Sequence, residues 1–368
     1  MKKYKKIVVK VGTSSLTHDN GCINLRFIDR LCATLTDLKN SGHDIILVTS
    51  GAIGVGKNRL QFSKTKLSIN EKQAMAAIGQ GILLHIYEKS FLEYGQISAQ
   101  LLLTRDDLND RKRFLTARNT IIELLRLGVV PIINENDSIA TDEIKFGDND
   151  TLASLVSVLT ESDLTILLTD VDGLYEGNPQ LCSYTKKIDV VYQINSDIYD
   201  MAGGSLSNVG TGGMKTKIDA ASISTNAGIP LVIALGQKPE ILYDIVEGKT
   251  VGTLFEAKPN ILHARKSWIL YGSKSDGKLV VDMGAENVLK NQGKSLLPSG
   301  ILKIEGNFER GSMVEVMNEN GKIFAKGITN YSSDMLEKMK GRKTADLAAC
   351  FNFFNEDEVI HRDNLGLL

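Results

Sequence analysis

Val129 to Asp150 reads VVPIINENDSIATDEIKFGDND. A short apolar run feeds directly into a segment, Asn134 to Asp150, that holds six carboxylates (Glu135, Asp137, Asp142, Glu143, Asp148 and Asp150) with one Lys and one Gly. Such a loop repels itself unless cations complete it. In an open α/β sheet, ligands bind just beyond the C-terminal ends of strands, so a polar loop leaving a strand in this way is a candidate site. Taken alone it also fits a solvated acidic turn, the usual state of a charge run, and the rest of the chain has to decide.

The same pattern of strand and polar exit recurs on both sides. Lys6 to Val11, KIVVKV, is a β-branched run followed at once by Gly12-Thr13-Ser14-Ser15. Lys10 is its oddity, because a lysine near the end of a buried strand is costly unless it reaches water or meets an anion. Ile45 to Thr49, IILVT, ends in Ser50-Gly51-Ala52-Ile53-Gly54-Val55-Gly56, which reads as a glycine-rich turn for close backbone approach to an anion or small substrate. Its GxxGxG order is neither the dinucleotide fingerprint nor a Walker A loop. Leu164 to Leu168 runs into Thr169-Asp170, and Asn208 to Lys217, NVGTGGMKTK, sets Lys215 and Lys217 just ahead of a helix reaching about Asn226. Gly-rich backbone at a helix N-terminus with lysine nearby is a way to hold phosphate, since N–H groups and the helix dipole favour the anion.

Between these strands lie helical patterns. Leu25 to Asn40 has Phe27, Leu31, Leu35 and Leu38 at helical spacing and closes at Ser41-Gly42; Asn70 to Tyr94 is a long helix with a capping box from Asn70 and Gln73. Its Ala74, Ala76 and Ala77 predict close packing against another element. Phe114 to Leu127 and Thr151 to Leu159 are further helices, and Ile97 to Leu103 and Ile229 to Leu235 further strands. Pro131 cannot donate to a ladder, which makes its strand edge-like at the start. Strand and helix alternate over the first 255 residues or so, predicting an open, mostly parallel α/β sheet with helices on both faces. Pro259, Gly272, Ser273, Ser275 and Gly277 then break the pattern, and a hairpin signal stands at Asn320-Gly321. The expected organisation is a catalytic domain over residues 1–258, a linker over 259–277, and a smaller, mostly β domain with the C-terminal tail over 278–368.

Bulk properties exclude several classes. With 368 residues, 42% hydrophobic content and a formal net charge of −1, the chain is large enough for two domains and is not basic. Residues 275 to 368 hold twelve Lys or Arg against fourteen Asp or Glu, which argues against nucleic acid as a partner. Its apolar runs are far shorter than the roughly 18 residues of a membrane span, and a cytoplasmic location is expected. Cys22, Cys32, Cys182 and Cys350 are widely separated, without a CxxC pair, so neither a disulfide framework nor a structural zinc is expected.

Two lysines, glycine-rich backbone and carboxylates brought to one sheet edge are the equipment of phosphoryl transfer, where catalysis is mainly positioning and neutralisation of charge. At this level the resemblance becomes specific. VKVGTSSL (Val9 to Leu16), VTSGAIGVG (Val48 to Gly56), PIINENDSIATDEIKFGDND (Pro131 to Asp150), LLTDVDGLY (Leu167 to Tyr175) and GTGGMKTK (Gly210 to Lys217) resemble the amino-acid kinase family. Within it they are most similar to members that phosphorylate the side chain of glutamate. SLLPSGILKIEGNFERGSMVEV (Ser295 to Val316) is similar to the PUA domain.

The resemblance implies an amino-acid kinase fold and the reaction of ATP with L-glutamate to give ADP and glutamyl 5-phosphate, the first step towards proline. It implies that Lys10 and Lys217 embrace the transferring phosphoryl group, and that Ser50, Asp137 and Asn149 hold glutamate with Asn134 close by. Asp148 and Asp150 would orient the lysines and the Mg2+-bound phosphates, the direct metal ligands being left open. The ATP pocket would be lined by Lys10, Thr169, Asp170, Thr211, Gly212, Gly213, Met214, Lys215, Thr216 and Lys217. Feedback inhibition by L-proline and a homo-oligomer are further implications. Rival readings are a family member acting on acetylglutamate, aspartate or a nucleoside monophosphate, and a PUA-type RNA-binding protein.

Overall fold

Apolar runs of five or six residues without polar alternation need cover on both faces, and such runs form the centre of the first of two units, Met1–Ile261 and Leu262–Leu368. The computed structural model describes residues 4–18, 20–64, 66–140, 149–177, 185–202, 213–257, 275–342 and 357–368. Strands of the first unit are β1 (Lys6–Val11), β2 (Asp44–Val48), β3 (Ser98–Leu103), β4 (Val130–Glu135), β5 (Leu164–Thr169), β6 (Leu174–Tyr175), β7 (Lys187–Ile188), β8 (Val190–Val191), β9 (Leu231–Leu235) and β10 (Thr253–Phe255). Eight of them make one sheet in the order β3-β4-β2-β1-β5-β9-β10-β8. Its ladders are parallel from β3 through β9, and β10 turns antiparallel against β9. The expected parallel sheet is present, and β4, β2, β1 and β5 are contiguous, so their four C-terminal exits open on one edge.

The helices are α1 (Thr13–Leu16), α2 (Leu25–Asn40), α3 (Ala52–Arg59), α4 (Ile69–Glu93), α5 (Arg105–Asn109), α6 (Arg111–Arg126), α7 (Asn149–Thr160), α8 (Ser196–Ala202), α9 (Met214–Asn226) and α10 (Ile241–Val246). Strand alternation sorts them into two layers. Ile7, Val9 and Val11 of β1 and Ile45 and Leu47 of β2 pack with Ile28, Leu31 and Leu35 of α2 and Leu83, Tyr87 and Phe91 of α4. The alternate positions of β1, Val8 and Lys10, therefore face the other layer, where α7 and α9 lie; Thr165 of β5 meets Ser157 of α7 and Ser224 of α9 there.

Three sequence expectations are changed or refined. The capping box of α4 is Ser68 with Glu71, not Asn70 with Gln73. β4 lies between β3 and β2, but its start is edge-like as expected, since Val130 and Pro131 pair with β3 alone. Val130 N–H bonds Ile97 on the β3 side and Ile133 C=O accepts from Thr49 on the β2 side, so by alternation Pro131 faces β2. The β2 ladder starts only at Ile132, so no bond is lost at Pro131. Third, Ser50 to Gly56 is not a glycine loop. Gly51, with φ +92°, caps a helix that already contains Gly54 and Gly56.

Gly56 instead lets α3 and α4 touch backbone to backbone. A Cβ on Gly56 would stand 1.9 Å from the Met75 carbonyl oxygen, and one on Gly79 1.8 Å from that of Ala52. Of the alanines expected to pack closely, Ala76 is buried while Ala74 and Ala77 are exposed, and the close contact on α4 is made at Gly79. Gly79→Ala should cost about 1–3 kcal/mol by forcing the helices apart, read as a lower Tm in thermal unfolding; an unchanged Tm would show that the contact is readily relieved.

In the second unit β11 (Gly277–Val281), β12 (Ile301–Glu305), β13 (Met313–Asn318), β14 (Ile323–Ile328) and β15 (Leu365–Leu367) form a sheet in the order β12-β11-β13-β14-β15. The expected hairpin joins β13 to β14, with Gly321 at φ +79°. Leu279, Val281, Val314, Val316 and Phe324 give this unit its own core. Most of the expected linker, and Cys182 and Cys350, lie outside the described residues.

Candidate active site

Lys10 does not reach for water. It is 7% exposed, and its Nζ lies 2.5 Å from Asp150 Oδ1; Lys217 Nζ, 5% exposed, lies 3.0 Å from Oδ2 of the same carboxylate. Asp150 is the second residue of α7, and Lys217 is in the first turn and a half of α9. The two helices are held in register one turn further on, where Ser154 Oγ donates to the Ala220 carbonyl at 2.7 Å. Two ammonium groups from β1 and α9 thus converge on one carboxylate at the sheet's C-terminal edge. Burial pushes the Asp150 carboxyl up, but the two ammoniums and their hydrogen bonds outweigh it and hold it below the ordinary carboxylate value.

Asn149 precedes Asp150 at the start of α7, and one residue along a helix turns the side chain by about 100°. Asn149 therefore faces a different cluster. Its Nδ2 shares its two hydrogens among the Thr49 carbonyl at 2.8 Å, Ser50 Oγ at 2.9 Å and Asn134 Oδ1 at 2.9 Å. Asn134 belongs to the alternation set of β4 that faces α4, and its Nδ2 donates to Gln80 Oε1 of α4 at 2.8 Å. Thr49, just past the end of β2, shares a 2.9 Å hydrogen bond with the Tyr87 hydroxyl; burial pushes that phenol up and keeps it neutral. Ser50 is buried at the N-terminus of α3, its hydroxyl already accepting from Asn149 and so free to donate elsewhere.

The remaining expected residues are placed as follows. Thr169 ends β5, buried, with Oγ1 donating to Asp170 Oδ1 at 2.9 Å, and Asp170 is exposed. Gly213 caps α9 through its backbone without a side-chain cap, Met214 and Thr216 are half-buried, and Lys215 is exposed while Lys217 is buried. Asp137 is half-buried in a turn whose end, the Ala140 carbonyl, is tied to Gln73 of α4 at 3.1 Å. Asp148, Thr211 and Gly212 lie outside the described residues, as do Asp142 and Glu143 of the acidic segment. Among the described residues no group of three metal-ligating side chains stands together.

Gln80 and Tyr87 escaped the sequence reading. Their signal was available: two residues with polar ends in the Ala76, Leu83 and Phe91 stripe of α4, which the structure shows to be the buried face.

Buried lysines at a strand end and a helix start, joined across one carboxylate, are what an anionic transferring group requires. The sequence matches the model of the Amino acid kinase family over residues 5–235 and that of the PUA domain over residues 277–351. The chain belongs to the amino acid kinase family. It is similar to the glutamate 5-kinase of Caldanaerobacter subterraneus subsp. tengcongensis, with 50% identity over 363 residues, covering 99% of this chain and 98% of that one. It is also similar to the glutamate 5-kinase of Carboxydothermus hydrogenoformans, with 48% identity over 369 residues, covering 100% and 99%. Among solved structures, carbamate kinase from Giardia lamblia bound to AMP-PNP has TM-score 0.52 at 18% identity, over 69% of this chain and 99% of that one, a likeness of fold alone. An amino acid kinase domain followed by a PUA domain is therefore the architecture.

Proposed function

We propose that the chain transfers the terminal phosphoryl group of ATP to the side-chain carboxylate of L-glutamate, giving ADP and L-glutamyl 5-phosphate on the way to proline. The observation that carries the chemistry is the buried Lys10–Asp150–Lys217 bridge, and the glutamate 5-kinase relatives carry the substrate. A carboxylate with an ordinary pKa of about 4.3 is already ionised at neutral pH, so the nucleophile needs no general base. One of its oxygens attacks the terminal phosphorus, and the bond to the bridging oxygen breaks with its electron pair leaving on ADP. The barrier is the approach of two anions, and Lys10 and Lys217 lower it by offering positive charge where the phosphoryl group passes.

Asp150 holds both lysines in that position. Asp148 shares that role, and Thr169, Asp170 and Thr211 to Lys217 line the nucleotide pocket, with α9 offering N-terminal amides that no side chain caps. Magnesium suits phosphate and water oxygens with one or two carboxylates. Because Asp150 is engaged by the lysines, the phosphates of the nucleotide would hold the ion, and it would supply further neutralisation of their charge.

Ser50, Asn134, Asp137 and Asn149 hold glutamate. Asp137 takes its ammonium group, so Asp137→Asn should raise the KM for glutamate with little change in KM for ATP; an unchanged glutamate KM would remove that role. L-Proline shares the ammonium and α-carboxylate of glutamate and should inhibit competitively against it. A noncompetitive pattern would place proline elsewhere. A homo-oligomer and a cytoplasmic location complete the proposal. ADP release measured with glutamate, aspartate, acetylglutamate, carbamate and a nucleoside monophosphate tests the substrate: glutamate alone should stimulate it.

A further inference from the structure

Gln80 belongs to none of the motifs that mark the site. It lies on the buried face of α4, 8% exposed, and accepts from Asn134, which is 1% exposed. The direction of every bond in this cluster follows from two backbone groups whose roles are unambiguous. Glu135 N–H can only donate, and it lies 2.9 Å from Asn134 Oδ1, which is thereby an oxygen. The other end of Asn134 is then an amino group that needs an acceptor, and Gln80 Oε1 is that acceptor. At the opposite end the Thr49 carbonyl can only accept, so Asn149 puts its Nδ2 there, and the same nitrogen reaches Ser50 Oγ and Asn134 Oδ1.

Asn149 Oδ1 is left turned away from all three acceptors. It is buried and, among the described residues, has no hydrogen-bond partner. A buried acceptor in that state is unfavourable, and whatever relieves it must bring an N–H or O–H.

We propose that Gln80 is a positioning residue for the amino-acid substrate: by holding Asn134 it locks Asn149 with its carbonyl oxygen towards the bound acid, so that the site demands a hydrogen-bond donor there. The α-ammonium of a free amino acid supplies one; an acid lacking the amino group does not. The inference rests on the reading of Asn149 as a glutamate-binding residue. Gln80 itself touches no substrate.

Steady-state kinetics of the full chain test it, with glutamate, with ATP, and with glutarate, which is glutamate without its amino group, as alternative substrate or competitor. Gln80→Met keeps the length of the side chain and removes the acceptor, leaving Asn134 with an unmet donor. It should raise KM for glutamate about tenfold, the effect of losing one buried hydrogen-bond partner, with KM for ATP within about twofold. The preference for glutamate over glutarate should fall about tenfold as well. Gln80→Glu restores an acceptor oxygen and should restore the preference. Gln80→Asn, which draws the acceptor back by one methylene, carries the same prediction as Gln80→Met should that variant not fold. An unaltered preference in Gln80→Met, or equal losses in Gln80→Met and Gln80→Glu, would reduce Gln80 to a packing residue and overturn the inference while wild-type turnover of glutamate stands. No turnover of glutamate by the wild type would instead overturn the proposed function, and this inference with it.

Discussion

Lys217→Ala should lower kcat at least about 100-fold, the size of effect seen when one charge-stabilising group is removed from a reaction centre. Lys217 comes from the first turns of α9 and Lys10 from the end of β1, so each ammonium is delivered by a separate rigid element. Removing Lys217 leaves Asp150 still paired with Lys10 at 2.5 Å, so the buried carboxylate keeps a counter-charge and the fold should survive. KM for glutamate should change little, since in the proposed role the lost charge serves the moving phosphoryl group rather than the bound acid. Lys10→Ala should behave similarly. Near-normal kcat in either variant would remove that lysine from catalysis.

Asp150→Asn has the opposite balance, with the loss falling on stability as well as rate. The carboxylate is 1% exposed and bridges two ammoniums; without its charge they face each other across a neutral amide. Removing one partner of a buried ion pair costs about 3–5 kcal/mol, which for a unit of this size lowers Tm on the order of 10 °C. The pH dependence has a definite sign. Because the folded carboxyl is held below its ordinary value, its contribution is fully present above the unfolded pKa of about 3.9 and disappears as pH falls through the lower, folded value. The stability gap between wild type and Asp150→Asn should therefore be flat at neutral pH and shrink below about pH 4. A gap that is negligible at pH 7 would show that the bridge contributes nothing to the folded state.

The features legible in the sequence were those with one physical cause. Lys10 stood out because a lysine inside a β-branched strand needs an anion, and the structure supplies Asp150. The parallel sheet followed from unbroken apolar runs alternating with helices, and the β13–β14 hairpin from Asn320-Gly321. What failed had two causes competing over the same residues. Gly56 read as loop because glycine is flexible, whereas here it is small, and only the tertiary approach of α3 to α4 distinguishes the two uses. The two- and three-residue strands β8 and β10 are too short to carry a period, and Gln80 became visible only once the buried face of α4 was known. Sheet alternation, which sends Lys10 to the α7 and α9 layer and Asn134 to α4, joins the two halves of the site through the consecutive residues Asn149 and Asp150.

The most direct measurement is ATP- and magnesium-dependent hydroxamate formation by the purified chain, offered glutamate, aspartate and acetylglutamate in parallel, with Lys217→Ala beside it. Hydroxylamine captures an acyl phosphate before it decays, so the product reports both the acceptor group and the substrate. Glutamate alone should yield hydroxamate, and Lys217→Ala at least about 100-fold less of it. Product from aspartate or acetylglutamate in place of glutamate, or an undiminished yield from Lys217→Ala, would contradict the account.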